Sequence, residues 1–174
     1  MEIYLIRHTT PDVTPGFIYG RTDVALAGSF LTEMVAIRQK LPVPFDAVYS
    51  SPAQRCTQLA EQLTPTFLVD DRLWELDFGD WEGKTWDSIN PDESEAWMAD
   101  FVNVRTPNGE SMVQMNERVT AFWTELIQKR NKSVAVVTHG GVIRLLTAAN
   151  RQLPLAKAFT INVDYGDVLL LHPR

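Results

Sequence analysis

An α/β fold with a largely parallel sheet is what this 174-residue sequence predicts, and three observations predict it. Short runs rich in β-branched and aromatic residues, each long enough for one buried strand, recur along the chain. Between them lie longer segments whose apolar residues repeat at helical spacing. The two kinds alternate, which is the pattern of a sheet covered by helices.

The elements follow in order. "IYLI" (3–6) reads as a first buried strand, and residues 28–40 as a helix. "DAVYS" (46–50) is a second strand. It runs into "SPAQRCTQLAEQL", where Ser51 reads as an N-cap, Pro52 as a first-turn residue and Gln54 as the third residue after the cap. Ala53, Cys56, Leu59, Ala60 and Leu63 form that helix's apolar stripe. Arg55 lies on its flank, roughly 90° from the centre, and can point out of the core near the helix start, which suits a solvated residue and a site residue alike. "TFLV" (66–69) is a third strand. Residues 77–110 are the least regular stretch, with "NPDES" and "TPNGES" as turn signals. They read as an insertion or lid within a single domain spanning 1–174.

"SMVQMNERVTAFWTELIQK" places Met112, Met115, Val119, Phe122, Trp123 and Leu126 on one helical face, and Ser111 with Gln114 fits a capping box. "SVAVVT" (133–138) is a strand. "GGVIRLLTAA" (140–149) is apolar nearly all round, as in a buried helix. "DVLLL" (167–171) is the last strand.

Composition narrows the function. The net charge of −6 and pI of about 5.0 argue against a nucleic-acid or membrane-surface binder, which needs a basic face. A local cluster of cations can still hold a small anion. Cys56 is the only cysteine, so a disulfide framework or Cys-rich zinc site is excluded. His8, His139 and His172 show no metal-ligand spacing, so neither metal nor cofactor is expected. With no secretory or membrane-span pattern, cytoplasm is the expected location. Oligomeric state is open.

In parallel sheets, ligands bind beyond the carboxyl ends of the strands. Here three strands end in related chemistry. The first ends in Arg7-His8. The second ends in Ser50-Ser51, with Arg55 one turn on. The strand 133–138 ends in Thr138-His139-Gly140-Gly141. Two arginines can grip a phosphoryl group bidentately, and backbone N–H groups at a helix start add to the grip. A neutral imidazole is a competent nucleophile toward phosphorus. A second imidazole, if protonated, would stabilise the equatorial oxygens. A carboxylic acid must then supply a proton to the leaving oxygen. "LWELDFGDWEG" (73–83) offers Glu75, Asp77, Asp80 and Glu82 among Trp74, Phe78 and Trp81. The residue pattern does not choose among the four, and at least two are expected to be merely solvated. Serine-hydrolase chemistry is not supported, because Ser50 and Ser51 lie in no Gly-x-Ser-x-Gly elbow.

"LIRHT", "YSSPAQRCTQLA", "LWELDFGDWEG" and "VVTHGGVIR", in this order from residue 5 to residue 144, resemble the motifs of the histidine phosphatase (phosphoglycerate mutase-like) superfamily. The resemblance implies a three-layer α/β/α sandwich that needs no metal. It implies His8 as the phosphorylated nucleophile, Arg7, Arg55 and His139 as the phosphate pocket with the Gly140 amide, and Glu75 as the proton donor. Thr9 and the "YG-x-TD" stretch (Tyr19, Gly20, Thr22, Asp23) resemble the α-ribazole phosphatases. That makes Thr14, Tyr19 and Gly20 candidate substrate contacts. Thr14 departs from the Asn that many members carry there.

The resemblance thus implies a phosphomonoesterase working through phosphohistidine, with a small-molecule phosphomonoester as partner and α-ribazole 5′-phosphate as the expected substrate. A phosphohistidine protein, or a range of sugar phosphates, is the alternative. A mutase is less favoured, because the interval from Glu75 to His139 is short and poor in free cations: Arg118 reads as an ordinary helix residue. Trp81, Trp86 or Trp97 is a candidate to stack on a flat base.

Overall fold

The computed structural model describes residues 1–173. Five strands form one sheet: β1 (Glu2–Arg7), β2 (Ala47–Ser50), β3 (Leu68–Val69), β4 (Ser133–Thr138) and β5 (Val168–Leu171). Their order is β3-β2-β4-β1-β5. The first four run parallel, and β5 pairs antiparallel to β1. Of the five α-helices among the described residues, α1 (Phe30–Gln39), α2 (Gln54–Glu61), α4 (Met112–Ile127) and α5 (Gly140–Asn150) cover it, and α3 (Pro91–Ala99) lies in the segment 77–110.

Strand alternation divides the core into two layers. Ile3, Leu5, Tyr49, Val134 and Val136 face one side and pack with α4 and α5. Tyr4, Ile6, Val48, Ala135 and Val137 face the other, against Ile37 of α1 and Ala53, Cys56, Leu59 and Ala60 at α2. Burial on both faces explains why β1, β2 and β4 carry continuous apolar runs. The fold is the expected three-layer α/β/α sandwich. All six residues of the α4 stripe are buried, and both bonds of its capping box form: Gln114 N–H to Ser111 Oγ at 3.3 Å, and Ser111 N–H to Gln114 Oε1 at 2.9 Å.

Two expectations fail for physical reasons. Ser51 is not an N-cap, because its N–H still donates to Val137 O at 2.9 Å and so continues the sheet. The helix begins at Gln54, whose N–H is taken by the Asp23 carboxylate at 2.8 Å. "NPDES" is not a turn between loops but the start of α3. Asn90 caps it through Asp92 N–H at 3.0 Å, Pro91 sits in its first turn and Asp92 and Glu93 follow there. The segment 77–110 also shares a small core with Ile18: Trp81 and Ile89 are buried against it, with Phe78 and Trp97 packed on them.

Candidate active site

Parallel pairing of β1 with β4 sets Arg7 opposite Thr138, so both strands end at one edge. His8 N–H extends the ladder to Thr138 O at 3.0 Å. The two imidazoles emerge side by side, ring centroids 5.3 Å apart. His8 Nδ1 lies 2.8 Å from the Thr9 carbonyl, which can only accept. The proton is therefore on Nδ1, and Nε2 carries the lone pair. Burial pushes the His8 pKa down to about 3, with the charges of Arg55 and Arg7 acting in the same direction. His8 is a neutral base with one nitrogen free.

His139 is fully buried, and burial, then Arg55 and His8, hold its pKa well below the usual value. Its Nδ1 faces the Arg55 Nη2 donor at 3.3 Å, so Nε2 carries the proton and donates to Ser51 Oγ at 2.7 Å. The imidazolium considered from sequence is thus not the state of the free site; a bound dianion would have to raise that pKa. Ser51, displaced from the cap role, orients this ring.

Arg55 does not point out of the core. It is fully buried, donating to Thr22 O at 3.0 Å and Gly20 O at 2.6 Å. Arg7 donates to Val163 O at 2.7 Å and lies 3.9 Å from the centre of the Tyr165 ring. The Nε atoms of both arginines are buried without a partner, as is Thr9 Oγ1. Among the described residues neither guanidinium has a carboxylate partner. Unpaired buried donors on two adjacent cations are costly unless an anion satisfies them. Gly140 opens α5 beside them: a Cβ there would stand 3.3 Å from Arg7 Cζ.

The four carboxylates of 73–83 separate by partner. Glu82 accepts from Arg21 N–H at 2.9 Å, Thr22 N–H at 2.8 Å and Phe78 N–H at 3.1 Å, and from the Thr22 hydroxyl. Asp77 takes Gly79 N–H at 2.9 Å, and Asp80 takes Asn108 Nδ2 at 2.8 Å. Asp77 and Glu82 are thus loop ties rather than solvated groups. Glu75 remains. Its carboxylate accepts from Leu76 N–H and from Gly141 N–H, each at 3.0 Å, which brings it to the start of α5. It lines a cleft with Leu76, Phe78, Met112, Met115, Gly141, Arg144 and Phe159.

Some contributors carry no motif signal. Arg118, which sequence treats as a plain helix residue, donates to Arg72 O at 2.8 Å, Trp74 O at 2.6 Å and Glu75 O at 3.0 Å, and pairs with Glu110. It shapes the loop that carries Glu75. Tyr165 stacks near His8, centroids 5.5 Å apart, and shares a 2.9 Å hydrogen bond with Tyr19. Gly20 is buried at φ +30°, where a Cβ would meet Leu76 O at 2.4 Å. Its structural task is to present a carbonyl to Arg55. Thr14 is exposed on a surface hollow with Tyr19 and Tyr165, and does not hydrogen-bond the arginines or histidines. Trp81 is core, Trp97 packs among Phe78, Trp81, Trp86 and Phe101, and Trp86 lines a second hollow with Tyr19 and Glu75.

A family model described as "Histidine phosphatase superfamily (branch 1)" matches residues 3–174. The chain belongs to that superfamily. Phosphoserine phosphatase 1 of Hydrogenobacter thermophilus is 25% identical over 182 residues, covering 99% of this chain and 86% of the relative. The adenosylcobalamin/alpha-ribazole phosphatase of Escherichia coli K12 is 27% identical over 177 residues, covering 95% and 87%. The crystal structure of the alpha-ribazole phosphatase from Shigella flexneri superposes with a TM-score of 0.89 at 26% identity, covering 98% of this chain and 89% of that one. As a member of the histidine phosphatase superfamily, the chain is a phosphatase.

Proposed function

We propose that this phosphatase hydrolyses a small phosphomonoester by double displacement at His8. The observation that carries the reading is the pairing of a neutral imidazole, its Nε2 lone pair free, with two arginines, Arg7 and Arg55, whose buried Nε donors are unpartnered. Substrate phosphate enters between Arg7, Arg55, His139 and the Gly140 N–H. His8 Nε2 attacks phosphorus, the bond to the alcohol oxygen breaks, and Glu75 gives that oxygen a proton. Water then attacks the phosphohistidine, the N–P bond breaks, and the Glu75 carboxylate takes the water's proton. Arg7 and Arg55 hold the charge of both transition states.

For the substrate we propose α-ribazole 5′-phosphate. This is supported by the similarity to alpha-ribazole phosphatases across nearly the whole chain and by the apolar cleft beside Glu75. Phosphoserine is the second reading, favoured by the similarity to phosphoserine phosphatase 1. We read 77–110 as the cover of the leaving-group side, since Phe78 and Trp86 line the hollows that reach Glu75. Cytoplasm is the proposed location; among the described residues no helix is long and apolar enough to cross a membrane. The test compares kcat/KM on α-ribazole 5′-phosphate, phosphoserine, 3-phosphoglycerate and a phosphohistidine protein. The first should lead by about tenfold or more, given how strongly a shaped pocket discriminates. A larger value for phosphoserine or for the protein overturns the substrate assignment.

A further inference from the structure

His8, the proposed nucleophile, is only 1% exposed, and Arg55 and His139 are fully buried. Something must move before a phosphate reaches them. Two tyrosines stand at that place. The Tyr165 ring centre lies 3.9 Å from Arg7 Cζ and 5.5 Å from the centre of the His8 ring. The Tyr19 ring centre lies 4.9 Å from Arg55 Cζ. Each ring thus rests on one of the two phosphate arginines, and the two hydroxyls meet at 2.9 Å. Tyr19 lines two hollows, one with Thr10, Thr14 and Tyr165, the other with Gly20, Glu75 and Trp86, and neither is lined by Arg7, His8, Arg55 or His139. Tyr165 is 38% exposed. It sits in the turn 164–167, which Asp167 N–H closes on Asp164 O at 3.1 Å and Gly166 permits at φ +72°. Gly166 N–H also donates to His8 O at 3.2 Å. The turn backbone is therefore pinned, and the part free to swing is the Tyr165 side chain.

We propose that Tyr19 and Tyr165 form a clasp that closes the phosphate pocket of the free enzyme, and that substrate phosphate binds by displacing it. In the closed state the electron-rich ring faces partner the two guanidiniums. A phosphate offers the same guanidiniums full negative charge and bidentate hydrogen bonds. The two states therefore compete for one pair of cations. The hydroxyl bridge favours the closed state by the worth of one hydrogen bond, and a pocket that is open only part of the time binds its ligand more weakly by the fraction open. The inference rests on the assignment of Arg7 and Arg55 to the phosphate. It gives Tyr165 a part in the reaction: with Tyr19 it sets how readily the arginines are released to the substrate.

The test measures the Kd of inorganic phosphate by titration calorimetry, with the full chain, for the wild type, Tyr19→Phe, Tyr165→Phe and the double variant. Each phenylalanine keeps a ring on its arginine and removes one half of the hydroxyl bridge. Either single variant should bind phosphate about two- to tenfold more tightly than the wild type. The double variant should gain no more than either single one, because all three lose the same bond. Tighter binding is a result that damage to the fold does not produce. Unchanged affinity, weaker binding in either single variant, or gains that multiply in the double variant would overturn the clasp. Should the wild type and all three variants bind no phosphate, the phosphate pocket itself fails and the clasp with it, a result distinct from phosphate binding that ignores the hydroxyls.

Discussion

The Arg118 guanidinium, on α4, donates to the Glu75 carbonyl at 3.0 Å and to the Trp74 and Arg72 carbonyls on the same loop. Glu110 completes the arrangement by pairing with Arg118 and accepting Asp77 N–H at 3.1 Å. The proposed proton donor is therefore held through its backbone by a cation that hydrogen-bonds none of Arg7, His8, Arg55 or His139. Arg118 is a positioning residue, and its loss should act where a proton is needed. Glu75→Gln should slow alkyl esters by about 10²–10⁴-fold, and nitrophenyl phosphate, whose leaving group hardly needs the proton, by under about tenfold. Arg118→Gln should show the same asymmetry at about tenfold on alkyl esters, with Arg118→Lys partly restoring it. Steady-state kinetics on the two ester classes checks this. An equal loss on both would make Arg118 a general stabiliser only.

Burial and the two arginines keep His8 neutral, which has a consequence in pH. A free histidine protonates near 6.5, whereas His8 in the fold does so near 3. Between these values the unfolded chain binds the proton and the folded one does not. Stability conferred by the fold on neutral His8 is complete above about pH 6.5 and falls as pH drops toward about 3. An NMR titration of the His8 ring should show no protonation between about pH 5 and 8. A midpoint near the free value would contradict the burial.

Gly141 tests the position of Glu75 from the other side. A Cβ there would stand 2.2 Å from Glu75 Oε1 and 3.2 Å from Met115 Cε. Gly141→Ala should be gained easily by the helix, since alanine favours it by about 1 kcal/mol, yet it must displace the carboxylate. Hydrolysis of alkyl esters should fall by about tenfold or more while nitrophenyl phosphate is affected less. Unchanged rates on both esters would mean that Glu75 is not held where the proton transfer needs it.

How far the sequence carries depends on whether a feature is local. The α4 stripe and its capping box are properties of one segment, and both appear as read. The strand ends bring Arg7, His8 and His139 together because parallel pairing leaves them no other place. Arg55 was legible as an arginine near the site but not as a buried one, because the carbonyls of Gly20 and Thr22 that receive it lie more than thirty residues earlier. The same distance hid the work of "YG-x-TD": Asp23 caps α2, and Gly20 and Thr22 hold Arg55, so much of that stretch serves architecture. Arg118 and Tyr165 act through backbone carbonyls and ring faces, which leave no spacing pattern to read. α3 had its signals in Asn90, Pro91 and the acidic first turn, and they lost to the resemblance of "NPDES" to a turn.

In the proposed mechanism His8 Nε2 accepts the phosphoryl group. Rapid quenching of the enzyme with ³²P-labelled substrate, followed by peptide mapping, tests it most directly. The expected result is an acid-labile, alkali-stable label on His8, formed and lost at rates matching turnover, and absent from His8→Ala, which should fold normally without hydrolysing the substrate. Turnover with no labelled protein, label on another residue, or near-normal hydrolysis by His8→Ala would contradict it.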